Sequence, residues 1–256
     1  MSELFITPTP PSVSPVPIHV PVSSAPSMLG VKLVNYSQGF SSDSNDNNGS
    51  TGNLEEFICY CARVSNPSNQ MNTETNSRLV KYLMKHHHWS PFEMVSVCME
   101  INVPRDIARQ ILRHRSFSFQ EFSQRYAEPG LGFEMREARL QDRKNRQNSI
   151  ELEDKESNAI HQQWIEEQKK VVKQSQSAYQ WAIENGIAKE QARVVLPEGN
   201  TMSRIYMNGT LRSWIHYIEL RSAEGTQKEH RIIATECAKA IKPIFPGIMD
   251  FVKNEF

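Results

Sequence analysis

No apolar run in this 256-residue sequence approaches the eighteen or so residues that a bilayer crossing needs, so no membrane-spanning helix is expected within it. Net charge is missing as well. Lys plus Arg and Asp plus Glu each number 29, which leaves no global field to draw the chain to nucleic acid or to a charged membrane surface. Cysteine is scarce: Cys59, Cys61, Cys98 and Cys237 have neither the spacing of a zinc ribbon nor the density of a disulfide scaffold, so a reducing compartment such as the cytoplasm is expected. Residues 1–28 lack Lys and Arg altogether while holding seven of the fourteen prolines. That composition argues against a transit or secretory peptide and for a disordered segment, with Met28 as an alternative first residue. Residues 29–256 have the length and composition of one domain with one core, with a polar stretch at 41–53 expected to be a flexible loop.

What is present concentrates in residues 113–126, RHRSFSFQEFSQRY. Charges buried unpaired cost several kcal/mol each, so this density of charge beside aromatic rings reads as a site for an anionic ligand rather than as fold maintenance. Pro104 suits a first helical turn, and Ile107, Ala108, Ile111 and Leu112 fall at the offsets of a buried stripe. The spacing predicts a helix over 105–114 with Gln110, Arg113 and His114 clustered near its end. Beyond Arg115 the period becomes two, and in an extended chain Phe117, Phe119, Glu121, Ser123 and Arg125 point one way. Arginine rather than lysine recurs from 105 to 125, which favours forked recognition of phosphate or of a heterocycle's carbonyls.

Elsewhere, patterning predicts a strand over 31–37, helices over 54–64 and 76–87, a central strand over 94–103 and a charged loop over 127–147. A long helix follows from about 158 to Asn185, with Ile160, Trp164, Val171, Val172, Ala178, Tyr179, Ala182 and Ile183 inward. Helices are predicted over 188–196 and 210–221, and a last one from Thr226, where Glu229 would complete a capping box, to 243. The fold class is α+β, a single domain with a small antiparallel sheet packed by helices, several of them long. On the 210–221 helix Arg212 and His216 share a face, whereas Arg221 lies about 180° around the axis. One pocket on one side of that helix cannot hold all three.

These residues carry a resemblance. Arg113-His114-Arg115, seven residues and then Ser123, with Gln110 three before and Arg125 two after, resembles the signature of the flavin-dependent thymidylate synthases. Ala62-Arg63-Val64-Ser65, His88-Trp89-Ser90-Pro91-Phe92-Glu93, Arg193-Val194-Val195-Leu196-Pro197 and the stretch RSWIHYIELR at 212–221 resemble further blocks of that family, in family order. The resemblance implies reductive methylation of dUMP to dTMP, with 5,10-methylenetetrahydrofolate giving the carbon and NADPH giving a hydride through FAD, in a homotetramer whose sites lie between subunits. It implies dUMP contacts at Gln110, Arg113, Glu121, Ser123, Gln124, Arg125, Arg193 and Arg221, with Arg221 as the catalytic group that favours the ionised pyrimidine. FAD contacts are implied at Ser65, His88, Ser90, Glu93, Arg113, His114, Arg115, Glu121, Thr210, Arg212 and His216. Thr210 stands where the family often has Asn, Gln124 replaces a frequent Gly, and one residue is inserted between Pro197 and Asn200.

Other readings were weighed against this one. His86 to His88 suggest metal, but adjacent helical positions point apart, so no metal is expected. Arg105 and Arg109 read as solvated or paired with Asp106 and Glu100. No third residue orients His114 towards Ser123, so Ser123 reads as a hydrogen-bonding group rather than a nucleophile. A nucleic-acid-binding module could use the Arg-rich segment with Phe117, Phe119 and Phe122 as stacking groups, but the neutral net charge argues against it. A structural subunit that has lost activity is disfavoured by the presence of Ser123, Arg125 and Arg221.

Overall fold

The computed structural model describes residues 29–37, 54–128, 130–152 and 155–253. The segments expected to be disordered or flexible, 1–28 and 41–53, lie outside the described residues. In chain order the elements are β1 (Gly30–Tyr36), α1 (Leu54–Ala62), α2 (Asn76–Lys85), β2 (Ser96–Pro104), α3 (Arg105–Ile111), β3 (Ser118–Glu121), β4 (Leu140–Gln141) and β5 (Ser149–Ile150). They continue as α4 (Lys155–Glu184), α5 (Lys189–Ala192), β6 (Met202–Thr210), α6 (Leu211–Arg221) and α7 (Lys228–Ile241). One four-stranded antiparallel sheet, ordered β1-β2-β6-β3, carries the domain, and β4 and β5 form a separate hairpin. The α+β class with a small antiparallel sheet and helices packed on it is as expected.

The centre of the sheet is the β2–β6 pair, in register over nine residues from Ser96↔Thr210 to Pro104↔Met202. Period-two burial makes it amphipathic. Val97, Met99, Ile101 and Val103 of β2 and Ile205 and Met207 of β6 are wholly buried, in one core with Trp214, Ile215 and Ile218 of α6 and Ile233, Ala234 and Ile241 of α7. Burial of such side chains contributes roughly 1.5–3 kcal/mol each. The Trp214 indole N–H donates to the Val97 carbonyl at 3.0 Å, which fixes α6 over β2. The other face is polar: Tyr206 donates to Glu100 at 2.8 Å, and Arg204 donates to Asn102 at 3.0 Å.

Several expectations are corrected here. β6 occupies a stretch to which sequence patterning assigned no element up to Thr210; Arg204, Tyr206 and Asn208 are the outward half of its alternation. Ile160, Trp164 and Val171 of α4 are half-exposed; the helix turns inward Gln168, bonded to the Arg136 carbonyl and to Asn200, and, nearer its end, Tyr179 and Ala182, packed with Ala192 of α5. The capping box at Thr226 does not form. Gln227 occupies the N-cap of α7, and the Glu229 carboxylate accepts from the Gln227 amide and from Arg139 instead.

Gly209 is where backbone and ring approach closely: a Cβ there would sit 2.4 Å from the Phe117 ring. Gly209→Ala is expected to push Phe117 out of the core and to cost about 1–3 kcal/mol of stability, read as a lowered midpoint in chemical denaturation.

Candidate functional site

The site begins where β2 ends. Pro104, at φ −61° and ψ 150°, turns the chain from strand into α3, whose Ile107, Ala108 and Ile111 are wholly buried as their spacing predicted. The helix is shorter than expected. It closes at Leu112, and Arg113 N–H donates to Gln110 C=O and His114 N–H to Ile111 C=O in a tighter turn. Arg113 and Arg115 are thereby left exposed while His114 turns inward.

Three groups of side chains result. In the first, Arg221 at the end of α6 donates its Nε–H to His114 Nε2 at 2.9 Å. His114 must accept there, so its ring is neutral. Burial first, and then the Arg221 charge, push its pKa from 6.5 down to about 4. The ring meets Tyr217 edge-on, centroids 4.9 Å apart. Gln110 lies beside them, held by His230 and Gln227.

The second group surrounds Glu121. Its carboxylate accepts from Arg105 at 3.3 Å, Arg109 at 3.4 Å and Ser203 at 3.1 Å, and Glu198 bridges the same two arginines at 3.2 and 3.0 Å. This corrects the pairing expected for Arg105 and Arg109. Asp106 binds Arg136 at 2.6 Å, and Glu100 binds Arg204 at 3.4 Å. The extended alternation also stops at Glu121. Tyr126 and Ala127 N–H both donate to the Ser123 carbonyl, so Ser123 and Arg125 sit in a turn rather than on a strand. Arg125 pairs with Glu190 at 3.3 Å, Arg193 Nε donates to the Glu190 carbonyl at 3.3 Å, and the amide nitrogen of buried Gln124 has no partner among the described residues. Arg105, Arg109, Gln124, Glu190, Arg193 and Glu198 line a cavity of about 380 Å³.

The third group lies at the start of α6. Arg212 forms an ion pair with Glu93 in the short 3-10 turn Ser90–Met94, and His216 stands edge-on to Trp89, centroids 5.2 Å apart. Burial and then Arg212 lower the His216 pKa. The Arg212 Nε is buried without a hydrogen-bond partner among the described residues. His88 stands edge-on to Tyr82, and Ser65 is exposed in the turn after α1. Thr210 caps α6 by accepting from Ser213 N–H at 3.3 Å. As the helical spacing required, Arg212 and His216 fall in one group and Arg221 in another.

Comparison with known proteins bears on what these groups are for. Residues 49–247 match the family model described as thymidylate synthase complementing protein. A probable flavin-dependent thymidylate synthase of Paramecium bursaria Chlorella virus 1 is 50% identical over 194 residues, covering 76% of this chain and 88% of the viral one. The flavin-dependent thymidylate synthase of Synechocystis sp. is 47% identical over 195 residues, covering 76% and 87%. The chain belongs to the flavin-dependent thymidylate synthase family. Its fold is also similar to that of a UMP/dUMP methylase, PolB, from Streptomyces cacaoi bound with 5-Br dUMP, at a TM-score of 0.71, 26% identity and coverage of 87% and 93%.

Within this family member, cysteine chemistry is not prepared for nucleophilic attack. Burial raises the pKa of all four thiols, that of Cys59 to about 11, and Cys59 and Cys237 are buried. No cluster able to hold a metal ion occurs among the described residues. Sequence reasoning did not single out Glu198, Gln227 or His230. The available signal was the need of Arg105, Arg109 and Gln110 for partners, but those partners are 89 to 120 residues away.

His114 and His230 are depressed to about 4 and about 3, so the unfolded chain binds more protons than the folded one below pH 6.5. Stability is therefore fully present above about pH 6.5 and falls as pH drops through 4. Urea midpoints measured at pH 7, 5.5 and 4.5 should decline in that order, with less decline in His230→Asn.

Proposed function

We propose that residues 29–256 act as one catalytic domain that reductively methylates dUMP to dTMP, with FAD, NADPH and 5,10-methylenetetrahydrofolate, at sites shared between the subunits of a homotetramer in the cytoplasm. The observation that carries the shared-site reading is the separation of the three groups along the β2–β6 ladder. A nine-residue antiparallel pair is about 27 Å long at a rise of 3.4 Å per residue. Glu121 and Arg105 lie towards its Pro104 end, and Arg212 lies just beyond its Thr210 end. A mononucleotide such as dUMP is far shorter than that span, which supports a reading in which two copies of the chain supply complementary portions of each site.

The residues fit the roles assigned to them. Around Arg212 a guanidinium with an unmet buried N–H, the ring edges of Trp89 and His216 and the hydroxyl of Ser90 make a donor-rich, partly aromatic wall suited to a flavin nucleotide. His88, Glu93, Thr210 and Ser65 complete the set assigned to FAD, with Arg113, His114, Arg115 and Glu121. FAD, when bound there, would supply the redox chemistry. Ser123, Gln124, Arg125, Arg193, Gln110 and Arg113 are assigned to the nucleotide. Ser123 and the arginines surround its phosphate, and the unpartnered Gln124 amide is a donor prepared for an acceptor oxygen. Arg221, held through Nε by neutral His114, keeps its Nη groups for the pyrimidine, where a fixed positive charge stabilises the negative charge that develops on the ring.

Arg221→Ala is expected to yield folded, yellow protein with methyl transfer reduced at least about a hundredfold, the loss typical of removing one oriented donor. Radiolabel transfer to dUMP and the flavin spectrum check it; near-normal turnover removes Arg221 from the mechanism. In Ser123→Ala, calorimetric dUMP affinity should fall more than the rate at saturation, whereas full inactivity with intact binding restores a nucleophile at Ser123.

A further inference from the structure

Behind Gln110 runs a buried chain of polar side chains that neither the signature nor the ligand assignments include. Tyr217 and His230 are 1% and 0% exposed, and His230 Nε2 lies 3.1 Å from the Tyr217 hydroxyl. His230 Nδ1 lies 3.3 Å from Gln110 Oε1, Gln110 Nε2 donates to Gln227 Oε1 at 2.8 Å, and Gln227 Nε2 donates to Glu229 at 2.9 Å. Glu229 is anchored by Arg139 at 2.6 Å and Arg136 at 3.2 Å. Burial pushes its carboxyl up, but Arg136, the backbone and Arg139 outweigh burial and the net shift is downward, so it is ionised.

An ionised carboxylate only accepts, and this fixes the direction of every bond in the chain. Gln227 must turn its NH₂ to Glu229 and its carbonyl to Gln110. Gln110 must then turn its NH₂ to Gln227 and its carbonyl to His230. His230 must carry its proton on Nδ1, which leaves Nε2 to accept from the Tyr217 hydroxyl, a group that burial keeps protonated. Flipping either amide alone would set two donors or two acceptors face to face in a partly buried place, which disfavours the flip. The second N–H of Gln110 is not used by the chain and remains a donor.

The geometry points to His230 and Gln227 as positioning residues that lock the Gln110 amide as a hydrogen-bond donor towards an acceptor oxygen of the bound nucleotide, a phosphate or ring-carbonyl oxygen. This rests on the reading of Gln110 as a nucleotide contact. The same chain holds Tyr217, whose ring meets His114 edge-on, and His114 in turn accepts from Arg221.

The experiment is calorimetric titration of the purified, FAD-loaded protein with dUMP, with FAD content and melting temperature recorded for each variant. Packing and polarity rank two substitutions in opposite orders. His230→Phe fills the volume but offers no donor, whereas His230→Asn leaves space but retains a donor near the Nδ1 position. Kd for dUMP should rise at least tenfold in His230→Phe and stay within threefold of wild type in His230→Asn. If His230→Phe does not fold, Gln227→Met at the half-buried helix start serves in its place, with an expected rise of at least fivefold. Equal affinity in all variants, or weaker binding by Asn than by Phe, overturns the inference. Failure of the wild type itself to bind dUMP sinks the nucleotide reading and the inference with it. Deoxyuridine titrated in parallel identifies the oxygen: a matching loss assigns the ring carbonyl, and a loss confined to dUMP assigns the phosphate.

Discussion

Because β2 and β6 pair antiparallel over nine residues, the helices they feed leave the sheet at opposite ends: α3 begins after Pro104 and α6 after Thr210. The α6 helix then returns along the sheet, which is why its first turn carries Arg212 to Glu93 and its last residue brings Arg221 to His114. Arginines nine positions apart in one helix are thus committed to different neighbours by strand register. A one-residue slip would exchange the buried and exposed faces of either strand, so register and site geometry are one constraint.

The concentration of arginine is tolerable because carboxylates were placed among it. Arg105, 7% exposed, has two carboxylate partners in Glu121 and Glu198, and Glu198 stays ionised because those arginines outweigh its burial. Leaving such a cation buried and unpaired would cost several kcal/mol. Arg113 and Arg115, by contrast, are exposed, and among the described residues Arg221 is held through Nε by His114. Arg105 and Arg109 are each tied to two carboxylates, whereas Arg125 and Arg212, assigned to ligands, have one carboxylate partner apiece among the described residues.

Much of this was legible beforehand. The buried stripe of α3, the α6 helix and the split between Arg212 and Arg221 follow from periodicity, and β2 from its β-branched and apolar composition, both local properties. What was not legible depended on distant partners. β6 was missed because Arg204, Tyr206 and Asn208 belong to a polar sheet face that only pairing with Glu100 and Asn102 explains. Ser123 and Arg125 were read as a continued strand because no proline or glycine marks the turn; a hydrogen bond from Phe122 N–H to Arg204 C=O is the last of the pairing. Tyr217, His230 and Gln227 went unnoticed because a buried polar chain has no period.

Thr210 carries a last consequence. Its hydroxyl holds the first turn of α6, and threonine and asparagine both serve well at a helix N-cap. A chain that exchanges an amide for a hydroxyl at that point loses or gains one donor towards whatever lies nearby without tilting the helix that aims Arg212. Evolution can therefore retune this corner of the molecule in a single step, because the scaffold does not register the change.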